Sequence, residues 1–151
     1  MYLSAAILLF MVPAGRPDMV AFRFIKWVME GTPITLYGDG TQARDFTYVD
    51  DIARGTIAAL KPVGYEIFNL GRGDEPVTLN YMIQSIENLI GKKAQIDYRP
   101  FEKTDLQDTK ADNSKAKELL GWKPDVRFDE GLKRAVEWYK QNNDWVKGIH
   151  V

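Results

Sequence analysis

Apolar residues recur along this chain at two spacings, one typical of helices and one typical of strands. Spacings of three and four residues predict five helices, at Met19–Glu30, Asp50–Leu60, Leu79–Ile90, from Asp112 or Asn113 to Leu120, and over a last stretch with Leu132, Ala135, Val136 and Tyr139 on one face. Short β-prone runs predict strands at Ile34–Tyr37, Asp45–Val49, Tyr65–Leu70 and Ala94–Tyr98. Because helices alternate with strands and no linker interrupts them, we predict a mixed α/β (α+β) fold in a single domain, residues 1–151.

The first twelve residues, Met1–Val12, are apolar except for Ser4. This run is shorter than the about 20 apolar residues that a membrane span needs. A signal peptide would carry a basic residue before its apolar region, whereas the first basic residue here is Arg16. We therefore predict a buried strand at residues 1–12, and a cytoplasmic protein with no membrane partner.

Composition excludes several kinds of chemistry. The chain has no cysteine, and its single histidine is His150, next to the last residue. Disulfides, thiolate nucleophiles and cysteine-based metal sites are therefore ruled out, and a histidine triad or metal site is not expected. Lys and Arg (20) nearly balance Asp and Glu (21), which argues against a nucleic-acid partner held by net charge.

Two cofactor-enzyme patterns are missing from the sequence. Gly38, Gly40 and Ala43 have the spacing of a dinucleotide-binding fingerprint, but an aromatic, β-prone run follows them instead of a helix. Because the fingerprint needs a helix N-terminus for the pyrophosphate, we predict a hairpin-like turn. None of the seven tyrosines has a lysine four residues later, so a tyrosine–lysine proton-transfer pair is also absent.

Arg44 is the residue most indicative of binding. In a continuous strand Arg44, Phe46 and Tyr48 would share one face. Arginine suits phosphate because its donors form a planar fork, and aromatic rings suit a base or a sugar. The alternative is an arginine on an edge strand that pairs with an acid.

The run Arg44–Asp51 makes the chain resemble the C-terminal part of a nucleotide-sugar epimerase of the extended short-chain dehydrogenase/reductase family. The other matching runs are Gly15–Met19, Leu36–Thr41, Phe68–Gly71, Ala111–Ala116, Leu119–Pro124 and Glu130–Leu132. Arg16–Met19 is most similar to the UDP-glucuronate 4-epimerase branch. The resemblance implies a substrate-binding domain that lacks most of the Rossmann domain, with residues 1–12 as a strand at the edge of the missing half.

The resemblance also implies roles for individual residues. In the family, the first half binds NAD and supplies a tyrosine–lysine pair, while the second half holds the nucleotide sugar. The implied substrate-binding residues are Arg16 near the sugar, Thr35 and Tyr37 along the uracil, Arg44 at the diphosphate, Phe46 beside it, Thr78 in the pocket, and Asp105 at the ribose. Some relatives carry a second phosphate-binding arginine where this chain has Glu102.

The leading hypothesis is the UDP-sugar-binding portion of an NAD-dependent nucleotide-sugar 4-epimerase, of the UDP-glucuronate or UDP-glucose type. We expect no catalysis by this chain alone, no catalytic or metal-binding residue in it, and no NAD bound to it, as for a truncated or broken gene. One alternative is a non-catalytic nucleotide-binding or self-associating module, a homodimer or a strand swap through uncovered apolar surface. Another is the same domain of a nucleotide-sugar dehydratase or decarboxylase.

Overall fold

Helices account for most of the regular structure. A computed structural model describes residues 3–6, 10–11, 17–61, 65–102 and 104–149, the first two ranges as backbone only. Its helices are α1 (Val20–Glu30), α2 (Val49–Ala58), α3 (Leu79–Ile90), α4 (Ser114–Leu120), α5 (Phe128–Gln141) and α6 (Asn143–Val146). Among the described residues, no helix combines the length and apolar character needed to cross a membrane.

The strands are short and pair two by two. They are β1 (Leu3–Ala6), β2 (Phe10–Met11), β3 (Ile34–Tyr37), β4 (Ala43–Arg44), β5 (Thr47–Tyr48), β6 (Glu66–Asn69), β7 (Val77–Thr78) and β8 (Ile96–Arg99). In the described part of the chain β1 pairs with β6, β2 with β5 and β3 with β8, all parallel, whereas β4 pairs with β7 antiparallel. The mixed α/β prediction is confirmed.

The main core lies where α1, α3 and α5 pack against one another and against β3. Helix α3 follows its predicted bounds because Leu79, Met82 and Ile86 all face this core. It ends at Gly91, which adopts a left-handed conformation (φ of +78°) that glycine reaches at little steric cost. The Gly91 N–H donates to the Glu87 carbonyl at 2.7 Å.

A second core joins α2, β6 and α4, with Phe68, Leu70 and Trp122 at its centre. The buried carboxylate of Asp51 accepts hydrogen bonds from the backbone N–H groups of Asp125 (3.1 Å) and Val126 (3.0 Å). The Asp51 side chain thus fixes the segment between α4 and α5 beside α2.

Three sequence predictions need correction. The stretch predicted as one strand, residues 1–12, holds two strands with different partners, β1 and β2, and its other residues lie outside the described part. Of the predicted strand Asp45–Val49 only Thr47–Tyr48 is a strand (β5), since Asp45 and Phe46 separate it from β4, and Val49 already belongs to α2. The turn at Gly38–Thr41 is present, but it does not close a hairpin, because β3 and β4 pair with different strands.

Candidate functional site

Arg44 lies in the β4–β7 ladder, where it stands opposite Val77 while Ala43 stands opposite Thr78. Its guanidinium donates through Nη2 to the Asp105 carboxylate at 2.6 Å, and through Nη1 to the carbonyls of Ala43 (2.9 Å) and Gln107 (3.1 Å). The Arg44 side chain is 12% exposed and that of Asp105 is 44% exposed. Arg44 thus pairs with an acid, as the alternative interpretation expects. That acid, Asp105, is also the residue for which the resemblance implies a contact with the ribose.

The loop that carries Asp105 is held by the backbone of β4. The Ala43 N–H donates to the Gln107 carbonyl at 2.8 Å, and the Thr109 N–H donates to the Ala43 carbonyl at 3.2 Å. Asp105 N–H closes a turn onto the Glu102 carbonyl at 2.9 Å. This segment consequently runs alongside β4 and brings Asp105, 61 residues away in sequence, to Arg44.

Phe46 and Tyr48 do not share an exposed face with Arg44, because the strand is interrupted at Asp45 and Phe46. Phe46 is buried, with its ring 5.6 Å from that of Phe128. Tyr48 is also buried, and the guanidinium of Arg134 lies 5.3 Å from its ring. The predicted aromatic face beside Arg44 is therefore wrong, and both rings belong to the main core.

A cavity of 580 Å³ opens next to Phe46 and Phe128. Seven charged residues are part of its lining: Asp45, Arg72, Asp74, Glu75, Lys110, Arg127 and Asp129. Tyr81 donates to Asp129 at 3.0 Å, and this hydrogen bond, with the charge of Asp129, raises the pKa of the Tyr81 phenol. Because Arg44 and Asp105 lie outside this lining, the cavity adjoins the predicted site only through Phe46 and Val77.

Thr35 and Tyr37 lie on the outer face of β3, since Ile34 and Leu36 on the opposite face are fully buried. Thr35 and Tyr37 therefore share one face of β3, and Tyr37 is 45% exposed. The buried amide of Gln42 donates to the Tyr37 carbonyl and joins the end of β3 to the start of β4. Uracil binding along this strand stays a prediction.

The remaining implied residues have separate surroundings. The Thr78 hydroxyl caps α3 by accepting a hydrogen bond from the Tyr81 N–H at 3.2 Å, which gives it a structural task of its own. Arg16 lies outside the described residues. Among the described residues, no group of three or more His, Cys, Asp or Glu side chains could hold a metal ion.

Sequence reasoning missed Asp45 and Thr47. Both side chains are buried and accept hydrogen bonds from the backbone of the glycine-rich loop after β6, Asp45 from Gly73 at 2.9 Å and Thr47 from Arg72 at 2.9 Å. Gly73 lies 28 residues after Asp45, and Arg72 lies 25 residues after Thr47, so no local pattern could reveal the contacts.

Comparison with known proteins places this geometry in a family. The model of the GDP-mannose 4,6-dehydratase family matches residues 17–135. The UDP-glucuronate 4-epimerase of Thermodesulfobacterium geofontis is 60% identical over 139 residues, which are 92% of this chain and 43% of that protein. The UDP-N-acetyl-alpha-D-glucosaminuronate decarboxylase of Bacillus cytotoxicus is 36% identical over 126 residues, 79% of this chain and 39% of that protein.

A solved structure agrees with these relatives. The UDP-glucuronic acid 4-epimerase of Bacillus cereus, in complex with UDP-glucuronic acid and NAD, superposes with a TM-score of 0.83 at 38% identity, over 92% of this chain and 44% of that one. The chain therefore spans less than half the length of these relatives. It belongs to the extended short-chain dehydrogenase/reductase family of NAD-dependent nucleotide-sugar epimerases and dehydratases, and corresponds to their C-terminal part.

Proposed function

We propose that this chain binds a UDP-sugar, of the UDP-glucuronate or UDP-glucose type, as the substrate-binding portion of a nucleotide-sugar 4-epimerase. In this proposal residues 1–151 act as one substrate-binding domain. Arg44 binds the diphosphate, Asp105 accepts hydrogen bonds from the ribose hydroxyls, and Thr35 and Tyr37 flank the uracil. Thr78 and Arg16 complete the site, and Phe46 supports it from the core, where its ring packs on that of Phe128.

The observation that carries the proposal is the meeting of Arg44 and Asp105, whose side chains contact each other at 2.6 Å. The resemblance implies a diphosphate role for the first and a ribose role for the second. In a UDP-sugar the ribose adjoins the diphosphate, so one ligand can reach both side chains. The similarity to an epimerase solved with UDP-glucuronic acid supports the same ligand class.

Calorimetric titration of the purified chain with UDP, UDP-glucose and UDP-glucuronate tests this proposal. We expect binding of all three, and a loss of at least about tenfold in Arg44→Ala, because a charge-assisted contact to phosphate contributes on the order of 1.5–3 kcal/mol. Arg134→Ala is the matched control, since Arg134 pairs with Glu130 on α5 instead of with Asp105. Absence of binding to all three ligands would refute the proposal.

NAD has no fitting cradle in the described part of this chain. The only glycine pattern of the right spacing leads from Gly40 into strand β4 at Ala43, whereas a dinucleotide needs a helix N-terminus there. The isolated chain should therefore bind no NAD and leave UDP-glucuronate unchanged. Fluorescence titration with NADH and a turnover assay with added NAD check both points, and epimerised product from the isolated chain would contradict them.

Two other candidates remain from different observations. The similarity to a decarboxylase favours the same UDP-sugar site in an enzyme that catalyses decarboxylation instead of epimerisation. Product analysis of a full-length relative carrying this segment would distinguish these two reactions. Self-association is favoured by the β1–β6 pair, on which Ile67 is 48% exposed. A chain that associates but binds no UDP-sugar would support that second candidate.

A further inference from the structure

Asp45 follows the proposed phosphate-binding arginine directly and is almost completely buried, at 2% exposure. Its Oδ2 atom accepts two backbone hydrogen bonds, from Gly73 at 2.9 Å and from Ala111 at 3.0 Å. No described cation forms an ion pair with this carboxylate. Because a buried charge needs compensating partners, these two N–H groups are the contacts that hold Asp45 in place.

The two donors belong to segments that are tied to each other as well. The Asn113 side chain donates to the carbonyls of Gly71 (2.9 Å) and Arg72 (3.0 Å). A methyl group added at Gly71 would approach the Ala111 Cβ to 2.2 Å, so the two backbones touch without room for a side chain. Asp45 lies at the centre of this three-segment junction.

One of the three segments carries Asp105. Between Asp105 and Ala111 the chain is bound to Ala43 by two backbone hydrogen bonds, and at Ala111 it is bound to the Asp45 carboxylate. Arg44 then contacts Asp105 itself. Three consecutive residues thus hold the 105–111 segment: Arg44 at its start, Ala43 in its middle and Asp45 at its end.

We infer that Asp45 is a positioning residue for the nucleotide site: its buried carboxylate fixes the 105–111 segment so that Asp105 stays opposite Arg44. It makes no contact with the ligand itself. The role rests on the proposed function only as far as the ligand is a UDP-sugar, because the anchoring of the segment is a property of the free chain.

The anchoring is tested without ligand, by amide hydrogen exchange at residues 105–111. Asp45→Ala should accelerate exchange there, above all at Thr109 and Ala111, and Asp45→Asn should recover part of the protection because its amide oxygen can still accept both bonds. Asp51→Ala is the matched control, since Asp51 is also a buried carboxylate that accepts two backbone N–H groups, those of Asp125 and Val126, outside this segment. Equal protection in wild type and Asp45→Ala, or equal loss in the Asp51 control, would overturn the inference.

The consequence for binding is tested by a double-mutant cycle with Asp105→Ala, using UDP as the probe. Asp45→Ala should weaken UDP binding about tenfold in the wild-type background, and about twofold or less when Asp105 is already absent. A purely structural role would give equal losses in both backgrounds and would refute the positioning role. If the wild-type chain bound no UDP, the proposed function would fail, and the exchange measurement alone would decide on Asp45.

Discussion

In the free chain the Arg44 side chain is held by Asp105, the residue that would also contact a bound ligand in the proposed site. A guanidinium whose side chain is only 12% exposed needs its donors satisfied, and Asp105 with two backbone carbonyls satisfies them. A bound diphosphate would offer Arg44 a second anion, while the ribose hydroxyls would donate to Asp105. If the proposed binding mode holds, the ion pair fixes the positions of both side chains before the ligand binds.

Glu102 stands where the resemblance implies, for some relatives, a second phosphate-binding arginine. It is exposed, and its carbonyl accepts the Asp105 N–H at 2.9 Å, so its backbone borders the site. Glu102→Arg replaces a negative charge near a diphosphate by a positive one. We expect UDP to bind several-fold more tightly, with a gain that shrinks as salt is added.

The control for this prediction is Glu118→Arg, which makes the same charge change on the exposed surface of α4. Titration calorimetry at two salt concentrations measures both variants. An equal gain in the two variants would indicate a general charge effect, and no gain at Glu102 would mean that its side chain points away from the ligand.

At the level of secondary structure, the sequence pattern predicted those elements whose bounds depend on interactions between residues close in the chain. Helix α3 and strand β3 have the predicted bounds, since their apolar spacing and the stop at Gly91 lie within the elements themselves. The break between β4 and β5 was not predictable. It arises because Asp45 turns away from any ladder to bind Gly73 and Ala111, 28 and 66 residues away. The chemistry of Arg44 and the resemblance together indicated Arg44, and the resemblance alone indicated Asp105, but the contact between them depends on that same distant packing.

The connection from α3 to β8 depends on a carboxylate and should respond to acid. Glu87 accepts hydrogen bonds from the Lys93 side chain (2.7 Å) and the Ala94 N–H (2.8 Å), and these two, in that order, lower the pKa of Glu87. A lowered folded-state pKa means that the stabilisation is present above the ordinary glutamate pKa and is lost as the pH falls through the folded value.

Glu87→Gln should therefore lower the melting temperature by a few degrees at pH 7, and this gap should narrow as the pH falls below the ordinary glutamate pKa and close below the lowered folded-state pKa. Thermal unfolding followed by circular dichroism across that pH range measures the gap. Glu118→Gln, at an exposed glutamate of α4, should leave the melting temperature unchanged. A gap at Glu87 that stays constant with pH would show that the charge of this carboxylate contributes nothing.

On the scale of the whole molecule, the β1–β6 sheet is covered unevenly. Phe68 and Leu70 face the core formed with α2 and α4. Ile67 points to the opposite face and is 48% exposed. Parallel sheets are ordinarily covered on both faces because their crossover helices lie there. In the free chain this face is therefore a candidate contact surface for a second copy of the chain.

If a second copy covers this face, the purified chain should associate as its concentration rises, and a charge at Ile67 should prevent it. Ile67→Lys would place an ammonium group in the apolar contact, whereas Ile57→Lys makes the same change at a 66% exposed isoleucine on α2. Light scattering coupled to size-exclusion chromatography should show wild type and Ile57→Lys associating alike, and Ile67→Lys as a monomer. Because Arg44 and Asp105 lie on another strand pair and its loop, UDP binding should be unaffected in the Ile67→Lys monomer. A wild-type chain that is monomeric at every concentration would remove self-association from its possible functions, and loss of UDP binding in the monomer would mean that the site needs the second copy.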